Sequence, residues 1–158
     1  MKKFIILLIV TLPLAFIGCK AENADRSGKK DTTKAGTSTG AVVYLTNESF
    51  KKLIFNYEKN TEWKYEGNRP AIIDFYADWC APCRQLSPII DELAREYSGK
   101  VDIFKVDTEK ERILAQNLGI SSLPTLLFIP AEGIPQAAMG ALPKESLIQV
   151  INEVLLIN

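Results

Sequence analysis

From Pro70 to Ala77 the chain is apolar on both alternating faces, apart from Asp74. A strand of this kind needs cover on both sides and belongs in the middle of a sheet. Helical spacing resumes after Cys80 and runs through Leu86, Ile89, Ile90 and Leu93 to Tyr97, with Gly99 as the stop. A buried strand that hands over to a helix within a few residues calls for a layered α/β fold.

The flanking sequence supplies the other layers. Ala41 to Leu45 is a short strand pattern, and Thr46 opens a helix in which Phe50, Leu53, Ile54 and Tyr57 keep helical spacing. A loop is expected from Asn60 to Arg69. Val101 to Val106 reads as a strand and Glu109 to Leu118 as a helix ending at Gly119. Thr125 to Ile129 and Gln136 to Met139 read as strands joined by a Gly/Pro turn, and Lys144 to Leu156 as an amphipathic last helix. Parallel and antiparallel pieces thus mix in one α/β sheet.

The amino-terminal part is of another kind. Met1-Lys2-Lys3 is basic, and the apolar run Phe4 to Ile17 is shorter than the roughly 20 residues of a spanning helix, so it reads as a secretory signal. Its end, Ala15-Phe16-Ile17-Gly18-Cys19, resembles a bacterial lipoprotein signal, in which the cysteine becomes the lipidated first residue. Lipoprotein signals usually carry leucine where Phe16 stands, and ordinary cleavage after Ala21 is the alternative. Residues 20–40 are polar and small with no apolar period, the composition of a flexible tether with a reach of about 25 Å. The expected organisation is a lipoprotein-type signal at 1–18, a tether at 19–40 and one domain at 41–158. The product would be exported and held in the periplasm or on a membrane through Cys19.

Composition narrows the chemistry. Acidic and basic residues are equal in number at 19 each, which gives no footprint for nucleic acid. Histidine is absent, so Ser-His, Cys-His and histidine-ligated metal chemistry are excluded. What remains is Trp79-Cys80-Ala81-Pro82-Cys83, at the strand-to-helix junction. A helix start presents unpaired N–H groups and the positive end of the macrodipole, which favour a thiolate at Cys80 as the attacking sulfur. Two intervening residues bring Cys83 close enough to bond, and its deeper position makes it the resolving thiol. Pro82 suits a first turn that needs no N–H. A zinc site would need further ligands that the chain does not supply, so no metal is expected. A structural disulfide closing so short a loop would restrain the unfolded chain little.

With Ile73-Asp74-Phe75-Tyr76-Ala77-Asp78-Trp79-Cys80-Ala81-Pro82-Cys83, then Lys105-Val106-Asp107, Leu123-Pro124-Thr125 and Gly140-Ala141-Leu142, the chain is similar to the thioredoxin family over roughly Ala41 to Leu156. The resemblance implies the thioredoxin fold, a central mixed sheet flanked by helices on both faces. It also implies disulfide exchange through Cys80 and Cys83, with that pair in place of a cofactor. Ala81 stands where the family most often has glycine, a change that bears on redox potential. The resemblance makes Asp74 a buried acid whose raised pKa lets it relay the proton of Cys83. Read as unpaired, Asp74 would be replaceable by Asn with equal or greater stability at neutral pH. Lys105 is its basic neighbour, either tuning Asp74 or simply solvated on a strand flank. Pro124 matches the family's cis-proline, and Leu123 and Thr125 would pair with an extended substrate strand. Trp79 and Gly140 would border that groove, although core filling also suits a tryptophan.

The expected function is a general protein-disulfide reductase outside the cytoplasm, acting as a monomer on disulfide-containing clients. It would need an electron-donating reductase, in or across the membrane. A dedicated reductant in cytochrome c maturation is the runner-up, and a redox-insensitive interaction module is the reading from another class.

Overall fold

The computed structural model describes residues 40–156. Cys19, the expected signal at 1–18 and all but the last residue of the expected tether lie outside the described residues. The elements alternate as β1 (Val43–Tyr44), α1 (Asn47–Leu53), β2 (Ala71–Tyr76), α2 (Ala81–Glu96), β3 (Asp102–Asp107), α3 (Arg112–Asn117), β4 (Thr125–Ile129), β5 (Gln136–Met139) and α4 (Lys144–Val150). A π-helical turn, Ile151–Leu155, continues α4.

The strands form one sheet in the order β1-β3-β2-β4-β5. β3 runs parallel to β1 and β2, β4 antiparallel to β2, and β5 antiparallel to β4. The strand that the sequence marks as doubly covered is central, and each residue from Ala71 to Phe75 is 0% exposed. Alternation sends Ile72 and Asp74 to one face and Ala71, Ile73 and Phe75 to the other. On the first face Ile72, Ile103, Leu126 and Phe128 pack with Leu86, Ile90 and Leu93 of α2 and Leu147 of α4. On the second, Ile73, Phe75, Phe104 and Val106 pack with Phe50 of α1 and Leu114 of α3. Helices therefore cover both faces of a mixed sheet, the architecture expected from the sequence.

Several boundaries differ. β1 keeps only two residues of the expected Ala41–Leu45. α1 is expected to reach Tyr57 but ends at Leu53, because the Asn56 side chain accepts hydrogen bonds from the N–H groups of Glu58 and Lys59 and turns the chain. Tyr57 still packs on Phe50, with ring centroids 6.4 Å apart, and its hydroxyl donates to Asn47 Oδ1. α3 starts three residues later than expected, since Asp107 Oδ1 takes the N–H groups of Glu109 and Lys110 into a turn. The last helix widens after Val150, where Leu156 N–H reaches back five residues to Ile151 O at 2.9 Å. Leu147, Ile151 and Leu155, four residues apart, all remain buried along this stretch. α2 continues through Pro88, an interior proline that cannot donate to the carbonyl one turn earlier.

Candidate active site

The site lies where β2 hands the chain to α2. Cys80 N–H donates to Ala77 O at 3.1 Å, which turns the backbone, and Cys80 itself is the N-cap with extended φ/ψ of −74° and 105°. Its Sγ accepts the N–H of Cys83 at 3.2 Å. Pro82 sits within the first turn, and no acidic residue does. The sulfur of Cys80 therefore faces a helix N-terminus whose partial positive charge no first-turn carboxylate offsets.

Cys80 and Cys83 are joined by a disulfide, with Cα atoms 5.3 Å apart. In the disulfide state the two residues are both buried, at 3% and 2% exposed, so exposure does not separate Cys80 from Cys83. What separates them is the cap position, held by Cys80. Trp79, just before the pair, is 67% exposed and fills no core.

A second segment closes on the cysteines. Leu123 packs against Cys80 and Cys83, and the Leu123–Pro124 peptide bond is cis. Thr125 is buried, and its hydroxyl donates to Ser122 O at 2.8 Å. Gly140 donates its N–H to Pro124 O at 2.8 Å with φ of 90°, a left-handed conformation that favours glycine. Leu123, Pro124, Thr125 and Gly140 are thus one local unit, adjoining the disulfide through Leu123.

Beneath the junction lies a buried charge pair. Asp74 and Lys105 are register partners on β2 and β3, so their side chains share the face under α2. Lys105 is only 3% exposed, which overturns the alternative of a solvated flank lysine. Its Nζ lies 3.4 Å from Asp74 Oδ2, which corrects the reading of Asp74 as unpaired. At that distance the ammonium acts on Asp74 first through its charge and only then as a hydrogen-bond donor. Burial pushes the Asp74 carboxyl up to about 6, Lys105 pulls it back, and the charge of Asp91 adds to the rise. Lys105 also donates to Ser87 Oγ at 2.7 Å and lies 4.7 Å from the centre of the Tyr76 ring. Lys105, Ser87, Tyr76 and Cys83 line one cavity of about 230 Å³.

Comparison with known proteins places this geometry in a family. The family model described as thioredoxin matches residues 41–153. The chain belongs to the thioredoxin family. A thioredoxin of Borreliella burgdorferi is 44% identical over 112 residues, 71% of this chain and 96% of that protein. A thioredoxin of Pyropia yezoensis is 34% identical over 113 residues, 72% of this chain and 96% of its own length. Among solved structures, chloroplastic thioredoxin z is similar with a TM-score of 0.61 and 25% identity, covering 72% of this chain and 93% of that one. With the Cys80–Cys83 disulfide in place, the thioredoxin relationship makes the chain a thiol–disulfide oxidoreductase that acts on disulfide-containing substrates. Its redox group is the cysteine pair, and a bound cofactor plays no part in thioredoxin chemistry.

Sequence reasoning passed over Ser87 and Tyr76. Both carried a signal: Ser87 stands four residues after Cys83, on the same side of α2, and Tyr76 two after Asp74, on the same face of β2. Their tie to Lys105 depends on how α2 and β3 pack, which no local pattern states.

Proposed function

We propose that the chain is a general protein-disulfide reductase that works outside the cytoplasm, anchored through a lipidated Cys19. The observation that carries this reading is the Cys80 sulfur, capping a helix start free of first-turn acids, beside an exposed Trp79. Such a sulfur is stabilised as the thiolate. In the reduced enzyme the Cys80 thiolate attacks one sulfur of a client disulfide, forms a mixed disulfide and expels the other client sulfur as a thiolate. Cys83 then gives up its proton to the Asp74 carboxylate, directly or through water, and attacks Cys80. The second client thiolate leaves, and the Cys80–Cys83 disulfide remains. Two electrons have passed to the client, and a dithiol donor must restore them.

The direction rests on Pro82 between the cysteines and on the absence of histidine there, features of reductants. The export signal places a reductant in a compartment that favours disulfides, so its electrons must come across a membrane. Leu123 and Thr125 would pair with an extended client strand, Pro124 with no N–H would leave space against the sulfurs, and Trp79 and Gly140 would border the groove. The full chain carrying Cys83→Ser, isolated from membranes with its trapped clients, tests the reading. It should begin at an acylated Cys19 and hold several unrelated proteins in mixed disulfides with Cys80. An amino terminus beyond Cys19 would overturn the anchor. Capture of haem-attachment polypeptides alone would replace the general reductase with the dedicated one.

A further inference from the structure

Lys105 is shared among three groups. Its ammonium lies 2.7 Å from Ser87 Oγ, 3.4 Å from Asp74 Oδ2 and 4.7 Å from the Tyr76 ring centre. The short hydrogen bond goes to the neutral hydroxyl, and the carboxylate stands further off, at 3.4 Å. That order is the reverse of intrinsic strength, since an ammonium bonds a carboxylate roughly twice as strongly as a neutral acceptor. Position accounts for it: Ser87 projects from α2 onto Lys105, and both line the cavity that Cys83 also lines.

We infer that Ser87 is a positioning residue for the resolving step, holding the Lys105 ammonium off the Asp74 carboxylate so that Asp74 stays basic enough to take the Cys83 proton. The inference rests on the proton-relay reading of Asp74. Ser87 touches neither substrate nor a reacting atom and acts through Lys105. Other charged and titratable groups surround the pair. Asp91 of α2 raises Asp74. Tyr44 of β1, Tyr76 of β2, Asp78 of the junction and Arg84 of α2 line the cavity, with Arg84 held to Asp78 O at 2.9 Å. β4 places only the apolar Leu126 opposite Asp74. Among these, Lys105 is the cation in ion-pair contact with Asp74, and Ser87 is its short hydrogen-bond partner.

Without the hydroxyl, Lys105 has Asp74 as its best remaining acceptor and closes on it. A fully hydrogen-bonded ammonium favours the carboxylate, so the Asp74 titration midpoint falls. Ser87→Ala and Ser87→Thr test this by NMR titration of the Asp74 side-chain carboxyl carbon, beside single-turnover kinetics of mixed-disulfide release across pH. Ser87→Ala should lower the midpoint by about one pH unit. The acid limb of the release profile should move down with it, while attack by Cys80 stays unchanged. Ser87→Thr, which keeps the hydroxyl, should restore both. Alanine is a good helix residue, so folding is retained in the variant that matters. An Asp74 midpoint that stays put or rises in Ser87→Ala overturns the role of Ser87. A midpoint that falls while the release profile does not move leaves Ser87 controlling Lys105 and overturns the relay through Asp74.

Discussion

The starts of α1 and α2 use one device for two ends. In each, the N-cap residue is extended and its side chain accepts the N–H three residues on, at 3.2 Å, Thr46 from Ser49 and Cys80 from Cys83. Around Thr46 the helix start is well supplied. Ser49 returns a hydroxyl to Thr46 N–H at 2.8 Å, Glu48 lies in the first turn, and Glu111 Oε2 takes the N–H of Asn47 at 2.7 Å. Around Cys80 the first turn has no acid and includes Pro82. At α1 the positive helix end is offset by carboxylates and contributes stability alone. At α2 it is left for sulfur, where it favours the anion that attacks a disulfide.

The largest test of this contrast is Cys80→Ser. Serine caps a helix well, so the reduced forms of variant and wild type should differ in stability by less than about 0.5 kcal/mol. Reduction of an insulin-type interchain disulfide by a dithiol through the enzyme should fall roughly a thousand-fold or more, because the oxygen is not ionised where the sulfur is. A variant that kept wild-type turnover would remove the special status of the second cap.

Beneath the second cap lies the Asp74–Lys105 pair, and Asp74→Asn tests what it contributes there. With its midpoint raised from 3.8 to about 6 by burial, native Asp74 holds its proton more tightly than in the unfolded chain. Its contribution to stability is full below about pH 4 and is lost as pH rises through about 6. At roughly 1.4 kcal/mol per pH unit, wild type should lose up to about 3 kcal/mol relative to Asp74→Asn across that window, read by denaturant titration. A gain in stability at neutral pH, expected from the sequence alone, no longer follows, because the substitution strands the buried Lys105. Equal pH slopes for the two proteins would show that the carboxyl is not raised.

The smallest effect belongs to the first cap. Thr46→Ala should cost about 1 kcal/mol in denaturant titration and leave disulfide reduction by the folded protein unchanged. A change in turnover would mean that α1 reaches the active site and that the two caps are not separate in role.

The order of elements, the central strand, the junction carrying Cys80 and Cys83, and both bounds of β4 and β5 could be read from the chain. These are properties of runs of neighbouring residues: alternation reports which strand is covered twice, and helical spacing reports where a helix takes over. The burial of Asp74 was legible for the same reason, since Ile72, Ile73 and Phe75 enclose it in sequence as in space. The early end of α1 and the π-helical turn were not. The first depends on an Asn56 side chain competing with the helix, the second on fitting Ile151 and Leu155 to the sheet. The family resemblance named Lys105 as the basic neighbour of Asp74, but the burial of Lys105 and its tie to Ser87 were least legible. Lys105 is 31 residues away in sequence from Asp74 and Ser87 is 13 away, and only the parallel register of β2 with β3 and the seating of α2 bring the three together. The sequence by itself determined which groups could ionise and which strand would hide them, because hydrophobic pattern is local. Tertiary structure decided that Lys105 would lie buried between Ser87 and Asp74, because these contacts act through space between elements that the chain separates.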